Sequence, residues 1–274
     1  MQKPVGQAPG PGFVLNMSEG AVHLTIEGGI ASVLFDHPQV RNAMTWAMYE
    51  QLVAICGQLQ VEKSVRVATF RGAGGEAFVA GTDIEQFRAF QNGDDGVAYE
   101  SRIDHCIGLL EVLPMPTVAL IEGWAIGGGL AIATTCDFRI ATPVSRFGIP
   151  IARTLGNCLS IANMARLVSV FGAQRVKRML MLAEVLDAGE ALACGFLGQI
   201  CEPAEMDAAA DRLCERLTAL APVTQAVAKE GLRRLLTHDL PQGEDLIRRC
   251  YGSSDFREGV AAFIARTSPV WTGQ

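Results

Sequence analysis

Three consecutive glycines, Gly127 to Gly129, interrupt the apolar stretch GWAIGGGLAIATTCDF (123–138) where a strand-like segment gives way to a helix-like one. Glycine inside regular structure costs roughly 0.5–1 kcal/mol relative to alanine. A triplet at such a junction therefore requires something that approaches the backbone too closely for a side chain. A second glycine junction of the same kind lies in FVAGTDI (78–84). A nucleotide phosphate is excluded at both, because no Lys-Ser or Lys-Thr follows either turn and neither has G-x-G-x-x-G spacing. Two readings remain. Each turn is a tight bend beneath a closely packed helix, or each leaves a backbone N–H unpaired at a helix start, where the helix dipole strengthens the donor. Two such donors aimed at one oxygen would form an oxyanion hole.

The surrounding chain reads as α/β. VHLTIEGGIASVLFD (22–36) has two alternating β-branched runs joined by Gly28 and Gly29, a hairpin signature. A helix follows, with Asn42 or Thr45 as its cap, then a strand over 66–72. QNGDDG (91–96) reads as a polar loop, Tyr99 to Leu113 as a helix ending before Met115-Pro116, and TVALIEG and FRIAT as strands. From Leu155 onward the pattern is helical: a run to Gly172, then AQRVKRMLML, the segment around DAGEALACGF, and a long helix from Glu205 to Leu220. Strands alternating with helices argue for α/β architecture. The division expected is a flexible tail over 1–18, a catalytic core over 19–202 and a helical region over 203–274 that packs on other subunits.

Composition narrows the function classes. The 274 residues are 49% hydrophobic and 19% charged, which is globular. A formal charge of −6 gives no reason to expect nucleic acid or an anionic membrane as partner. Glu122 and Asp137 bracket the most apolar stretch and leave too few residues to cross a bilayer. MQKPVGQAPGPGFVLNMS is broken by Pro and Gly and lacks an apolar core of signal-peptide type, so no export signal is expected in it, and the eight cysteines show no C-x-x-C pair and no histidine at metal spacing. Reduced thiols, no metal and a cytoplasmic location are the expectations.

Four segments, in order, resemble the crotonase superfamily, the enoyl-CoA hydratase/isomerase group. DHPQVRNAM (36–44) is similar to the segment that binds the adenine end of CoA, EAFVAGTDI (76–84) to the first oxyanion turn, EGWAIGGGLAIATTCDFRIAT (122–142) to the second, and DFREGVAAFIARTSPVWTG (255–273) to the terminal helix and tail. The resemblance implies a spiral of ββα units with a C-terminal helical oligomerisation region, a homotrimer or dimer of trimers, and an acyl-CoA thioester substrate that brings CoA with it, so that no separate cofactor is needed. Position by position it implies oxyanion donors at the N–H of Thr82 and of Gly128, a CoA channel lined by Arg41, Ala43, Ala80 and Ile84, and Arg266 as partner for a CoA phosphate, within the chain or across a subunit boundary.

The sequence departs from the family's hydratases where their two glutamates stand. One position is Ala131, three residues past the middle glycine; the other, in FGIPI, is Ile151, and no Asp or Glu occurs between Phe138 and Ala183. The usual hydratase mechanism, which needs both carboxylates, is not expected. Enolate chemistry in an oxyanion hole remains open as isomerisation, decarboxylation or thioester hydrolysis, and so does a non-catalytic acyl-CoA-binding oligomer. Asp104, in RIDHCIGLLEVLP, is the candidate acid/base, against a solvent-facing or locally paired carboxylate. Cys158, in TLGNCLS, is a second candidate if a helix start lowers its pKa, against a buried structural thiol. Arg153, with Asn157 and Ser160, is placed near an acyl pocket. The arginines between Arg139 and Arg178 form a positive band that either attracts an anionic group or is helical surface charge.

Overall fold

The computed structural model describes residues 20–274; the expected tail over 1–18 lies outside the described residues. Strands β1 (Ala21–Glu27) and β2 (Ile30–Asp36) form the hairpin, with Gly28 and Gly29 at φ 57° and 81°. Positive φ at both central residues is what a type I′ turn requires. Helix α1 (Trp46–Val61) is capped by Thr45, whose side chain accepts from Met48 N. Asn42 ties loops together instead of capping the helix. It is buried, accepts from His37 N, and donates to the carbonyls of Ala73 and Ala77.

One unit then repeats. A strand enters a large sheet, the next short strand turns into a small sheet, and a helix returns the chain. The first unit is β3 (Val67–Gly72), β4 (Ala77–Val79) and α2 (Gly93–Glu111). The second is β5 (Thr117–Ile121), β6 (Trp124–Ile126) and α3 (Gly128–Thr135). The third is β7 (Phe138–Ala141) and β8 (Arg146–Gly148), followed by the short α4 (Ile151–Thr154) and α5 (Ile161–Met181), which is interrupted at Gly172. β9 (Val185–Asp187), α6 (Ala188–Ala193) and β10 (Gln199–Ile200) close the sheets. The large sheet has the order β1-β2-β3-β5-β7-β10, parallel except for β1, and the small one β4-β6-β8-β9, parallel except for β9.

The expected loop over 91–96 is instead mostly the first turn of α2. Asn92 and Asp95 form a reciprocal capping box, which satisfies two orphan amides and starts the helix six residues before Tyr99. The two- and three-residue strands β9 and β10 are too short to leave an alternation in the sequence.

Residues 203–274 supply four helices. α7 (Met206–Thr218) covers the outer face of the large sheet, packing Met206, Ala209, Ala210 and Leu217 on Val67, Val118 and Ile140. α8 (Pro222–Thr237) buries none of its residues; its Lys229 reaches back to Asp137 at 2.7 Å. α9 (Glu244–Tyr251) lies tightly on α2, because Gly93 and Gly96 leave room for it: a Cβ on Gly96 would sit 2.2 Å from the Tyr251 ring. α10 (Ser254–Ala265) ends at Arg266, which takes a left-handed conformation. No helix among the described residues is long and apolar enough to cross a membrane.

Candidate active site

The two glycine turns abut. Met44 N donates to Gly81 O and Asp83 N to Met44 O, which pairs Met44 with Thr82 in a parallel bridge. In such a bridge the N–H of the opposed residue points away from the pairing strand, so that of Thr82 turns toward the β6–α3 junction beside β4. There, Gly127 N donates to Gly148 O, while Gly128 opens α3, and its N–H has no partner within the helix. A Cβ on Gly127 would lie 3.7 Å from Gly81 Cα. Neither the Thr82 nor the Gly128 amide donates to a protein acceptor among the described residues.

Each glycine of the triplet is required for its own reason. Gly127 sits at φ 55°, a side chain on Gly128 would meet Tyr49 Oη at 2.6 Å, and one on Gly129 would meet Val79 O at 2.0 Å. The last contact is packing of α3 on β4, and the positive φ of Gly127 is a tight bend.

Thr82 and Gly128 both line a cavity of about 600 Å³. Its lining includes Thr82, Gly128, Arg41, Ala43, Ala80, Ile84 and Arg266, and also Ala131 and Ile151, so the two positions that would carry the hydratase glutamates face the cavity as apolar groups. Arg41 and Arg266 line it within one chain. Arg41 is held at φ 55° by the bond from its N–H to Pro38 O, its side chain 3.8 Å from Glu76.

Asp104, Cys158 and Arg153 do not line it. Asp104 accepts from Ser160 Oγ at 2.7 Å and lies 3.7 Å from Arg166, a locally paired carboxylate whose pKa burial raises. Cys158 precedes the cap of α5, Ser160, rather than opening a helix, and a hydrogen bond to Cys250 together with burial raises its pKa. Arg153 is exposed on α4. The positive band is largely absorbed by partners: Arg139 is buried against the carbonyls at the end of α3 and Phe196 O, Arg166 pairs with Glu111, and Arg175 and Arg178 pair with Glu190.

The carboxylate that does face the cavity is Glu100, on α2 one turn before Asp104. Three carboxylates are in the lining: Asp83 caps a 3-10 turn, Glu85 pairs with Arg88 in solvent, and Glu100 is 2% exposed. Glu100 accepts from Ser160 N at 2.9 Å and from Tyr251 Oη at 2.7 Å, and Tyr251 Oη accepts in turn from Asn157 Nδ2 at 3.2 Å. Burial pushes its pKa up to about 7; the two hydrogen bonds oppose the shift and Asp104 adds to it. Glu100 shares the cavity lining with Thr82 and Gly128, and a carboxyl poised near neutrality can exchange a proton with a group bound in such a cavity. Sequence reasoning passes over Glu100 although it lies within the expected helix. Glu100 falls in register with the buried Ile103, Ile107 and Leu110, which is the available signal.

Comparison with known proteins identifies the family and the fold. The model of the enoyl-CoA hydratase/isomerase family matches residues 25–274. A short-chain-enoyl-CoA hydratase of Clostridium acetobutylicum is 28% identical over 89% of this chain and 95% of its own length. An enoyl-CoA hydratase/carnithine racemase structure from Magnetospirillum magneticum superposes with a TM-score of 0.75 at 30% identity, covering 92% of this chain and 96% of its own. A methylmalonyl-CoA decarboxylase structure, at 24% identity and a TM-score of 0.84 over 92% of this chain and 98% of its own, shares the fold.

Proposed function

The chain belongs to the enoyl-CoA hydratase/isomerase family, and on that premise we propose that it moves a proton between carbons of an acyl-CoA thioester by way of an enolate, rather than adding water. The thioester oxygen is held between the N–H groups of Thr82 and Gly128, and Arg41 and Arg266 face the CoA phosphates at the mouth. With a 3-enoyl thioester, the C2–H bond breaks and its proton passes to the Glu100 carboxylate while the electron pair is delocalised onto the thioester oxygen. Glu100 then returns the proton to C4 as the double bond moves to C2–C3. The observation that carries the reading is Glu100, a buried carboxyl of nearly neutral pKa in the lining of the cavity that Thr82 and Gly128 also line. A single acid/base suffices for isomerisation, whereas hydration in this family uses two, and the wall offers Ala131 and Ile151 in their places.

The test incubates the protein in D₂O with crotonyl-CoA and with a 3-enoyl-CoA, read by mass spectrometry. Deuterium uptake at C2 or C4 with migration of the double bond is expected. Conversion of crotonyl-CoA to its 3-hydroxy product would contradict the proposal, and tight binding without any exchange would favour a non-catalytic binder.

A homotrimer or dimer of trimers belongs to the same proposal. α8 exposes Val223, Val227, Leu232 and Leu235, at 74, 66, 63 and 79%, an apolar surface that a second subunit would cover. Light scattering of Leu235→Glu should then show a smaller species than wild type; equal masses would remove α8 from the interface.

A further inference from the structure

Thr82 carries more than its amide. Its Oγ1 lies 2.8 Å from Tyr49 Oη and 3.0 Å from Tyr99 Oη, so three hydroxyls form a row. Burial raises the pKa of both tyrosines, and all three groups keep their protons. Two of those protons are used by the two hydrogen bonds of the row. One is left over, and no other acceptor among the described residues bonds to any of the three.

The direction of the row decides where that proton goes. Were it on Tyr49, a side chain 2% exposed and absent from the cavity wall, a buried donor would be stranded, at a cost of about 1–3 kcal/mol. Tyr49 therefore donates to Thr82, and the remaining proton belongs to Thr82 or Tyr99, both of which line the cavity. The row also ends beside the second amide: a Cβ on Gly128 would be 2.6 Å from Tyr49 Oη and 3.4 Å from Thr82 Oγ1.

Resting on the acyl-CoA reading above, we infer that the Thr82 and Tyr99 hydroxyls together supply one further hydrogen bond to the thioester oxygen held by the Thr82 and Gly128 amides, with Tyr49 as the positioning residue that orients them. Without Tyr99, the Thr82 hydroxyl still accepts from Tyr49 and keeps its own proton free; without Thr82, the Tyr99 hydroxyl has no partner in the row and its proton is free, so either can serve as the donor. Losing either leaves a donor; losing both does not.

Infrared difference spectroscopy of bound butyryl-CoA, labelled with ¹³C at the thioester carbonyl, tests this without turnover. Wild type should lower the carbonyl frequency relative to free ligand. Tyr99→Phe, which keeps the ring against Trp46, Phe87 and Phe90, and Thr82→Val should each retain most of that shift, and the double variant should lose a substantial part while still binding CoA. A double variant with the wild-type frequency overturns the inference and leaves the two-amide reading standing. A wild-type complex with no shift at all overturns the two-amide reading itself. Should the double variant not fold, Tyr99→3-fluorotyrosine, a stronger donor, should deepen the shift; an unchanged frequency would again overturn the inference.

Discussion

In the proposed reading, one wall of the cavity works through backbone and another through side chains. The backbone wall, Thr82 and Gly128, is set between two glycine turns that touch, with Gly81 and Gly127 at positive φ and with Gly128 and Gly129 where a Cβ would come within 2.6 and 2.0 Å of neighbouring atoms. The side-chain wall, Glu100 with Asn157, is fixed by Tyr251 of α9, which stands 151 residues beyond Glu100 in the chain and reaches it over Gly96. The first arrangement is local and rigid. The second depends on a remote helix staying docked, so chemistry can be relocated there without disturbing the amides. In this chain the two positions that would hold carboxylates near the backbone wall are Ala131 and Ile151, and the buried carboxyl stands on α2 instead.

The strongest way to break that contrast is Glu100→Gln. It should slow proton exchange by about 10²–10⁴-fold, the usual contribution of a general acid/base, while acyl-CoA affinity measured by calorimetry stays near wild type. If exchange survives, the side-chain wall is not the catalytic one. Next comes a pair of glycine variants on the backbone wall. Gly128→Ala pushes a methyl against Tyr49 Oη and should cut turnover by about 10²–10³-fold, the effect of losing one preorganised donor. Gly129→Ala drives a methyl into Val79 O and should act first on stability, by about 1–3 kcal/mol in denaturant melts. Reversal of those two phenotypes would assign the amide role to the wrong glycine.

Smaller effects concern pH. Glu100 has its folded pKa raised to about 7 from an ordinary value of about 4.3. The folded state therefore holds a proton that the unfolded state has released, and stability is greatest below about pH 4.3 and falls as pH rises through about 7. Glu100→Gln should flatten that slope in melts taken across the range, whereas exchange activity in wild type should rise through about pH 7 as the carboxylate forms. Tyr251→Phe should produce the smallest change. It removes a hydrogen bond that lowers the Glu100 pKa, so the midpoint of the activity profile should move upward, by about one pH unit or less. A downward movement would mean that Tyr251 stabilises the protonated form.

The contrast also explains what can be read from the sequence. The hairpin, the α/β alternation and the family are visible because glycine turns and β-branched runs leave local marks, and the positions Arg41, Ala43, Ala80, Thr82, Ile84, Gly128 and Arg266 all converge on one cavity. Glu100 is not visible because a charged residue on a helical pattern does not reveal what buries it, even where it shares a face with Ile103, Ile107 and Leu110. The groups that hold Glu100, Ser160 N and Tyr251 Oη, are 60 and 151 residues away along the chain, and no local pattern announces them. Asp104 stands out in the sequence because its charge interrupts an apolar helix, yet that charge is satisfied by Ser160 and Arg166.

The most direct measurement is a crystal structure with an unreactive acyl-CoA bound. The thioester oxygen should lie within about 2.7–3.1 Å of both Thr82 N and Gly128 N, with Glu100 facing the carbons beside it. An acyl-CoA seated with its carbonyl elsewhere, or those two amides turned apart, would contradict the account.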